Sequence, residues 1–561
     1  MTREQVNIMI GGEAGQGLVT IGELLVKSLV RSGFHIVVTQ DYMSRIRGGH
    51  NTFSIRASSK FIQAPQESID LLIALNAETV ALHRKALSDG GLILADKALE
   101  NLPSDVLAVP FKDLADSRYE NTAALGVAGS LLDLDRELIA QTLEKQFGKK
   151  HPEAVEPNRK VLNKAYEWCE QQQADGIKLN KPDDAPTRIP MNGNQAVALG
   201  AMAGGVKLCA FYPMTPSTSV ALTLAANAKQ MGLVVEQAED EIAAINMAIG
   251  GSYAGAPSIV TTSGGGFALM TEGISLAAMT ETPVVVFVCQ RPGPATGLPT
   301  RTSQADLEFI LFAGHGEFGR AIFTPGTVEQ CFHLTRQAFE MAEMYQGPAF
   351  VLSDQFLADS FRAVTPFDLS AVQPVYPAEV HDWESNKNYQ RYKVTESGVS
   401  PRLLPGLSKA LVAADSDEHT PDGHITEDLV AALEMTNKRM RKTDLIREQV
   451  IPPDFYGDDR PDLLMVCWGS SLGAVREAAD LLRKRDRSVG VLHFCQVWPL
   501  INDQYLPYLE SAGKVMAVEG NATGQLRNLI RRESGFHIKS LISRYDGLPF
   551  TPEYIVGRID A

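Results

Sequence analysis

Residues 211–218 read FYPMTPST, residues 234–256 read VVEQAEDEIAAINMAIGGSYAGA, and residues 261–270 read TTSGGGFALM. The apolar run at Val234 ends in three acids, Glu239, Asp240 and Glu241, and a helix of small and apolar residues follows at once. Glu241 therefore sits at a strand-to-helix junction, where small neighbours allow a carboxylate to be buried against a flat ring. Acids at a helix N-terminus also serve as ordinary caps. In the preceding loop Pro213 and Pro216 fix φ at two positions and remove two backbone donors, so Thr215 presents its hydroxyl from a stiffened frame. Ser217 and Thr218 read as caps for the next helix.

Outward from this stretch the pattern is α/β. Strands at LVVEQ, SIVTTS, PVVVFVCQ and PAFVLSD alternate with helical segments from Asn192 to about Asp359, the signature of a parallel sheet with crossover helices. Upstream, Val6–Ile10 leads into the glycine loop GGEAGQG, an amphipathic helix over Val19–Ser32 and the β-branched run HIVVT, a strand, loop, helix, strand unit of a parallel sheet. DLLIAL and GGLILAD follow as strands, and residues 121–148 read as helical. Downstream, LLMVCWG, SVGVLHFCQVWPL and KVMAVEGNATGQL repeat the alternation. With 561 residues the chain exceeds one hydrophobic core. The expected divisions are an α/β domain over 1–175, a polar linker over 176–190, a second α/β domain over 191–364, an extended surface connection over 365–461, and a third domain over 462–561.

The glycine loop places Gly12, Gly15 and Gly17 between a strand and a helix, where free backbone N–H groups and the helix dipole favour phosphate. Asp41, near the end of the second strand, occupies the place of a ribose-binding acid, which keeps a nicotinamide dinucleotide open. The basic loop SRIRGGHN, with Arg45, Arg47 and His50, suits a ligand with extra phosphates, and coenzyme A meets that description.

Charge excludes other classes. Against 67 acids stand 52 Lys and Arg, a net charge of −15, which argues against nucleic acid or an anionic membrane as the main partner. No uninterrupted apolar run reaches about 18 residues, and the opening MTREQVNIMIGG is no signal peptide, so the expected location is the cytoplasm. Cys169, Cys209, Cys289, Cys331, Cys467 and Cys495 form no C-x-x-C pair, so any iron–sulfur cluster is expected on another chain. His419 and His424, in SDEHTPDGHITED, read as a polar surface loop or a metal loop.

Four motifs in order, YPMTPS, EDEIAAINMAIGGSYAG, TTSGGGFALM and TGLPTRTSQADL, together resemble the 2-oxoacid:ferredoxin oxidoreductases. The similarity is greatest to the alpha subunit of the 2-oxoglutarate enzyme in the form with a gamma domain fused in front. The GGEAGQG region is similar to the gamma domain, and VWPL with VEGNATGQL resembles a transketolase-type C-terminal domain. The resemblance implies thiamine diphosphate as cofactor, held on its pyrimidine side by Tyr212, Pro213, Thr215 and Glu241. Such a cofactor requires a carboxylate at a pyrimidine ring nitrogen, and a dry site helps that acid to hold or share a proton. Glu241 matches the position; Glu239 and Asp240 are the competitors. By the same resemblance Thr215 is the implied hydroxyl contact near the C1 carboxylate of a 2-oxoacid, Arg301, with Thr300 beside it, is the implied contact to either the C1 or the distal carboxylate, and His315 is either a pocket residue or a packed or surface one.

The same resemblance implies that Mg2+, the diphosphate and a [4Fe-4S] cluster belong to a beta subunit, that two alpha–beta protomers assemble, and that electrons pass to ferredoxin. The acyl group would go to coenzyme A at the gamma-like region, giving succinyl-CoA and CO2 from 2-oxoglutarate, with the reverse, carbon-fixing direction equally possible. Oxidation of pyruvate or a branched 2-oxoacid, a nicotinamide dehydrogenase, and a non-catalytic structural subunit are the competing readings.

Overall fold

The computed structural model describes residues 2–43, 49–174, 176–182, 185–370, 372, 375, 389–407 and 410–560. Contacts divide the chain into two compact units, residues 1–192 with 359–367 and 550–561, and residues 193–358 with 368–549. Both are α/β.

In the first unit the sheet runs Val106–Val109, Leu87–Asp96, Ile69–Ala74, Gln5–Glu13, His50–Ser58, His35–Asp41, Arg362–Val364, Ile189–Met191. The first four strands are mutually parallel. From His50–Ser58 onward every pairing is antiparallel, which corrects the wholly parallel unit expected from sequence. The cause is His50–Ser58, which inserts between Gln5–Glu13 and His35–Asp41 and bonds to both along its length. Asp41 therefore ends a strand that is not hydrogen-bonded to the glycine-loop strand. Leu18–Arg31 packs its apolar face on this sheet, Glu120–Leu131 and Arg136–Phe147 pack against that helix, and Val155–Gln171 packs against those two, so that the four build the unit's main core with the strands.

In the second unit a seven-stranded sheet runs Val234–Gln237, Leu208–Phe211, Ser258–Thr262, Val284–Gln290, Pro348–Asp354, Ala321–Phe323, Gln496–Trp498. All pairings are parallel except the last. Its inner strands are apolar on both faces, as a sheet covered by helices on each side demands. Leu208–Phe211 has its sequence successor on one side and Ser258–Thr262 on the other, so the connections part at this strand's carboxyl end. Such reversals open a crevice in open α/β sheets.

A second sheet in this unit runs Asp454–Gly457, Val489–Phe494, Leu463–Trp468, Lys514–Glu519, Ser540–Ser543. One continuous core includes Ala210, Val260 and Phe350 from the seven-stranded sheet and Leu464, Leu492 and Ala517 from the five-stranded one. The stretch read from sequence as an extended connection holds the 20-residue helix Leu429–Glu448 and buries Arg391, Tyr392, Arg402, Lys438 and Lys442. Two of these lysines grip one acid: Glu281 Oε1 lies 2.6 Å from Lys438 Nζ, and Oε2 lies 2.8 Å from Lys442 Nζ. Arg402 pairs with Glu343 at 2.8 Å and donates 2.7 Å to the Ser252 carbonyl, tying the end of the helix Glu241–Tyr253. Among the described residues no helix is long and apolar enough to cross a membrane.

Candidate functional site

The register aligns the carboxyl ends of four strands, with Phe211 beside Gln237 and Thr261, and Thr262 beside Val288. The loops that leave this edge carry Thr215, Glu241 and Ser263. The three competing acids separate cleanly. Glu239 is exposed, Asp240 is the N-cap and accepts 2.7 Å from the Ala243 amide, and Glu241 opens the helix at 4% exposure. Among the described residues Glu241 Oε1 is buried with no hydrogen-bond partner. Asp240 meets the capping requirement, so the position of Glu241 is not explained by helix stability.

Glu241 leans on the turn Gly264–Phe267. A Cβ at Gly266 would collide with Glu241 Oε1, and a Cβ at Gly264 would collide with the Asp306 carboxylate. The glycines of TTSGGG are thus required by two acids packed against their backbone. Ser263, at the head of the turn, has a buried hydroxyl without a partner, as does Thr261. An unpaired buried carboxylate is costly. The arrangement fits a ligand that brings N–H donors to this edge, as an aminopyrimidine ring does.

Thr215 is partly buried, and its carbonyl accepts 2.7 Å from Arg291 Nη1, a residue that the sequence reading missed. Tyr212 and Pro213 are exposed beside it. Ser217 does not cap its helix: its hydroxyl donates 2.8 Å to the Met214 carbonyl and tightens the loop.

Thr300 and Arg301 lie on a loop held from several sides. Thr302 donates 3.1 Å to Asp354 Oδ1 and its amide donates 3.1 Å to the Gly547 carbonyl. Gln304 accepts 2.8 Å from the Gly520 amide and donates 2.8 Å to the Trp468 carbonyl, while Asn521 donates 3.0 Å to the Gln304 carbonyl. The GNATGQ segment is therefore the loop's anchor, a role its sequence did not disclose. His315 is exposed and lines a different feature, a cavity of about 700 Å3 with Ile242, Leu269, Phe318 and Arg439; Thr215, Thr300 and Arg301 do not line it.

In the first unit the strand continues through Gly12 to Glu13, and Gly17, at φ 84°, begins Leu18–Arg31 without any side-chain cap. Gln16 accepts 2.7 Å from the Glu13 amide. Gly15 stands open at φ 98°. Arg45 and Arg47 lie outside the described residues. His50 approaches His83 with Nε2 atoms 2.7 Å apart. His419 is buried against Tyr392 and His424 pairs with Asp422, so the two histidines serve separate contacts. Among the described residues no group of His, Cys, Asp and Glu has the arrangement of a metal site, and all six cysteines are buried free thiols.

Three family models match the chain. "Pyruvate ferredoxin/flavodoxin oxidoreductase" covers residues 7–168, "Pyruvate flavodoxin/ferredoxin oxidoreductase, thiamine diP-bdg" covers 199–438, and "Pyruvate:ferredoxin oxidoreductase core domain II" covers 461–555. The 2-oxoacid:ferredoxin oxidoreductase subunit alpha of Sulfolobus sp is 30% identical over 97% of this chain and 94% of its own. The 2-oxoglutarate oxidoreductase subunit KorA of Mycobacterium tuberculosis is 27% identical over 98% and 90%. Among solved structures, the 2-oxoglutarate:ferredoxin oxidoreductase from Magnetococcus marinus with 2-oxoglutarate, coenzyme A and succinyl-CoA bound has a TM-score of 0.92 at 31% identity, covering 100% of this chain and 99% of that one. The chain belongs to the 2-oxoacid:ferredoxin oxidoreductase family, in the lineage of its alpha subunits.

Proposed function

We propose that this family member is the alpha subunit of a thiamine diphosphate-dependent 2-oxoglutarate:ferredoxin oxidoreductase, forming succinyl-CoA and CO2 and passing electrons through a partner's iron–sulfur cluster to ferredoxin. The observation that carries the proposal is Glu241: a buried carboxylate, without a partner, at the carboxyl edge of a parallel sheet where the strand order reverses. Thiamine diphosphate, when bound, supplies the nucleophilic carbon and holds the electrons left by decarboxylation. The chain's own contribution is local. Glu241 accepts a hydrogen bond from the pyrimidine ring and holds the proton there, in a site dry enough to make that bond strong. Thr215, on a loop braced by Arg291, orients the substrate carboxylate, and Arg301 neutralises it.

The preference for 2-oxoglutarate rests on the full-length likeness to the Magnetococcus marinus enzyme and on the KorA relatives. A beta subunit is supported by the apolar side chains left open beside the site: Ile242, Leu269 and Leu298 are each about half exposed. We assign the cofactor's diphosphate, Mg2+ and the [4Fe-4S] cluster to that partner, and the assembly to a pair of alpha–beta protomers in the cytoplasm. Coenzyme A is assigned to the gamma-like first unit, through the uncapped helix start after Gly17.

Glu241→Gln in the complex assembled with the beta subunit is the test. Turnover should fall about 10²–10⁴-fold while assembly persists; unchanged turnover would falsify the assignment. Substrate profiling of the wild-type complex should favour 2-oxoglutarate, and a preference for pyruvate would overturn the substrate choice alone.

A further inference from the structure

We propose that Asp306 is a second ligand-facing acid of this site, an acceptor for an N–H or O–H donor on the ring cofactor that Glu241 engages. The inference rests on the reading of Glu241 given above. Asp306 occupies the N-cap position of Leu307–Phe312, where an aspartate normally accepts from the first-turn amides, yet its side chain makes no such bond. The capping task is done by Gln525, whose Oε1 accepts 3.1 Å from the Glu308 amide. The Asp306 backbone is fixed independently, its amide donating 2.9 Å to Gln290 Oε1, and Gln290 is in turn anchored by donating 3.1 Å to the Ser353 carbonyl. With the helix capped by another residue and the main chain held, the carboxylate has no structural task. It is turned against Gly264, on the same three-glycine turn that Glu241 contacts at Gly266.

No hydrogen bond reaches the Asp306 carboxylate among the described residues. Among the described residues the turn therefore has at it two buried polar groups without partners, Glu241 Oε1 and the Ser263 hydroxyl, and the half-buried Asp306 carboxylate lies against its backbone at Gly264. Glu241 and Ser263 are both more than nine-tenths buried. Ionisable groups on the elements and loops around the turn include Asp240, Glu241, Glu272, Arg291, Arg301, Glu308 and Glu519; Asp240 caps its helix, Arg291 is engaged with Thr215, and Glu519 accepts from Trp468, Asn521 and two amides. No cation pairs with Asp306, and burial alone pushes its carboxyl up to about 6. An ionised carboxylate is an acceptor only, so the ligand that relieves it is a donor. Binding such a donor favours the ionised form, so affinity should weaken as pH falls through about 6.

The experiment is calorimetric titration of Mg2+ and thiamine diphosphate into the cofactor-free alpha–beta complex, comparing wild type, Asp306→Asn and Glu241→Gln from pH 5.5 to 8. Asp306→Asn should raise Kd about tenfold or more at pH 7.5, as loss of one charge-assisted hydrogen bond does, and should remove the wild-type loss of affinity at acid pH. Turnover should fall at least as far, with assembly unchanged and the thermal midpoint not lowered. An Asp306→Asn complex with wild-type Kd at every pH overturns the proposal, as does one whose thermal midpoint falls while binding is unchanged. If Asp306→Asn is silent while Glu241→Gln is inactive, Asp306 alone is misassigned. If Glu241→Gln is also active, the reading of the whole site is wrong.

Discussion

Glu281 and Glu241 are buried glutamates of the same unit, and they are treated in opposite ways. Glu281 is wholly buried, yet both of its oxygens are met by lysines, and Arg391 donates 2.7 Å to its carbonyl. Burial alone would raise its carboxyl, but Lys442, Lys438 and Arg391 outweigh that and hold it down at about 2. Glu241 is almost as buried and has no partner for Oε1. A chain able to build the first arrangement has no physical obstacle to pairing the second. Under the function proposed above, the difference has a physical reading: the unsatisfied buried acid is where a ligand would complete the structure, and the satisfied one is a joint.

Exchanging the acids for neutral side chains should separate the two roles. Glu241→Gln, besides its loss of turnover, should leave the thermal midpoint unchanged or raise it, because a buried carboxylate without a protein partner is replaced by a neutral amide of the same shape. A lower midpoint would mean that Glu241 is a joint after all. Glu281→Ala strands two buried ammonium groups and should cost about 3–5 kcal/mol in denaturant unfolding. With a folded pKa below the unfolded one, the stability Glu281 contributes is present above about 4.5 and lost as pH falls toward 2. Acid titration of unfolding free energy should show this loss in wild type and not in Glu281→Ala.

Much of this contrast could be read in the sequence on one side only. The strands were legible because buried parallel strands read as β-branched runs, VVVFVCQ above all. The buried place of Glu241 at a helix start was legible because that helix is made of small and apolar residues. The Glu281 joint was not: Arg391, Lys438 and Lys442 sit in a charged, proline-bearing stretch, and charged composition normally marks surface. Their burial depends on a carboxylate more than 100 residues away in sequence. His50–Ser58 was passed over for a related reason, since only its partners make it an inserted antiparallel strand. Asp306 lies within TGLPTRTSQADL, but its N-cap position offers an ordinary explanation that only Gln525 removes.

Asp306 sharpens the comparison further, because its shift runs opposite to that of Glu281. Its folded pKa, about 6, lies above the unfolded value near 3.8, so the stability tied to its protonated form is present at low pH and is lost as pH rises through about 6. Asn cannot ionise. The stability of Asp306→Asn relative to wild type should therefore grow between pH 4 and pH 7.5, by about 2 kcal/mol. Unfolding titrations at several pH values measure this; a difference that falls as pH rises would place Asp306 among the satisfied acids, and a flat one would mean that its carboxyl is not shifted at all.

The smallest effect tests whether a fully paired polar group can still serve the reaction. Asn521 is buried and bonded on both ends, donating 3.0 Å to the Gln304 carbonyl and to Glu519 Oε2, and accepting 2.7 Å from the Gly524 amide. By the criterion drawn from Glu281 it is a joint, but what it joins is the loop that carries Thr300 and Arg301. Asn521→Ala removes the tether to Gln304 without touching either residue. The loop keeps the bonds of Thr302, Ser303, Gln304 and Gln525, and with one tether fewer the position of Arg301 should loosen. The expected result is a KM for the 2-oxoacid raised about three- to tenfold, the equivalent of roughly 1 kcal/mol, with kcat changed less. Asn521→Asp, which keeps the bond to the Gly524 amide and replaces both donors with an acceptor facing Glu519, should raise KM further. A lower thermal midpoint with KM unchanged would make Asn521 a joint of the Glu281 kind, and the anchoring of the loop by the GNATGQ segment would then be structural alone.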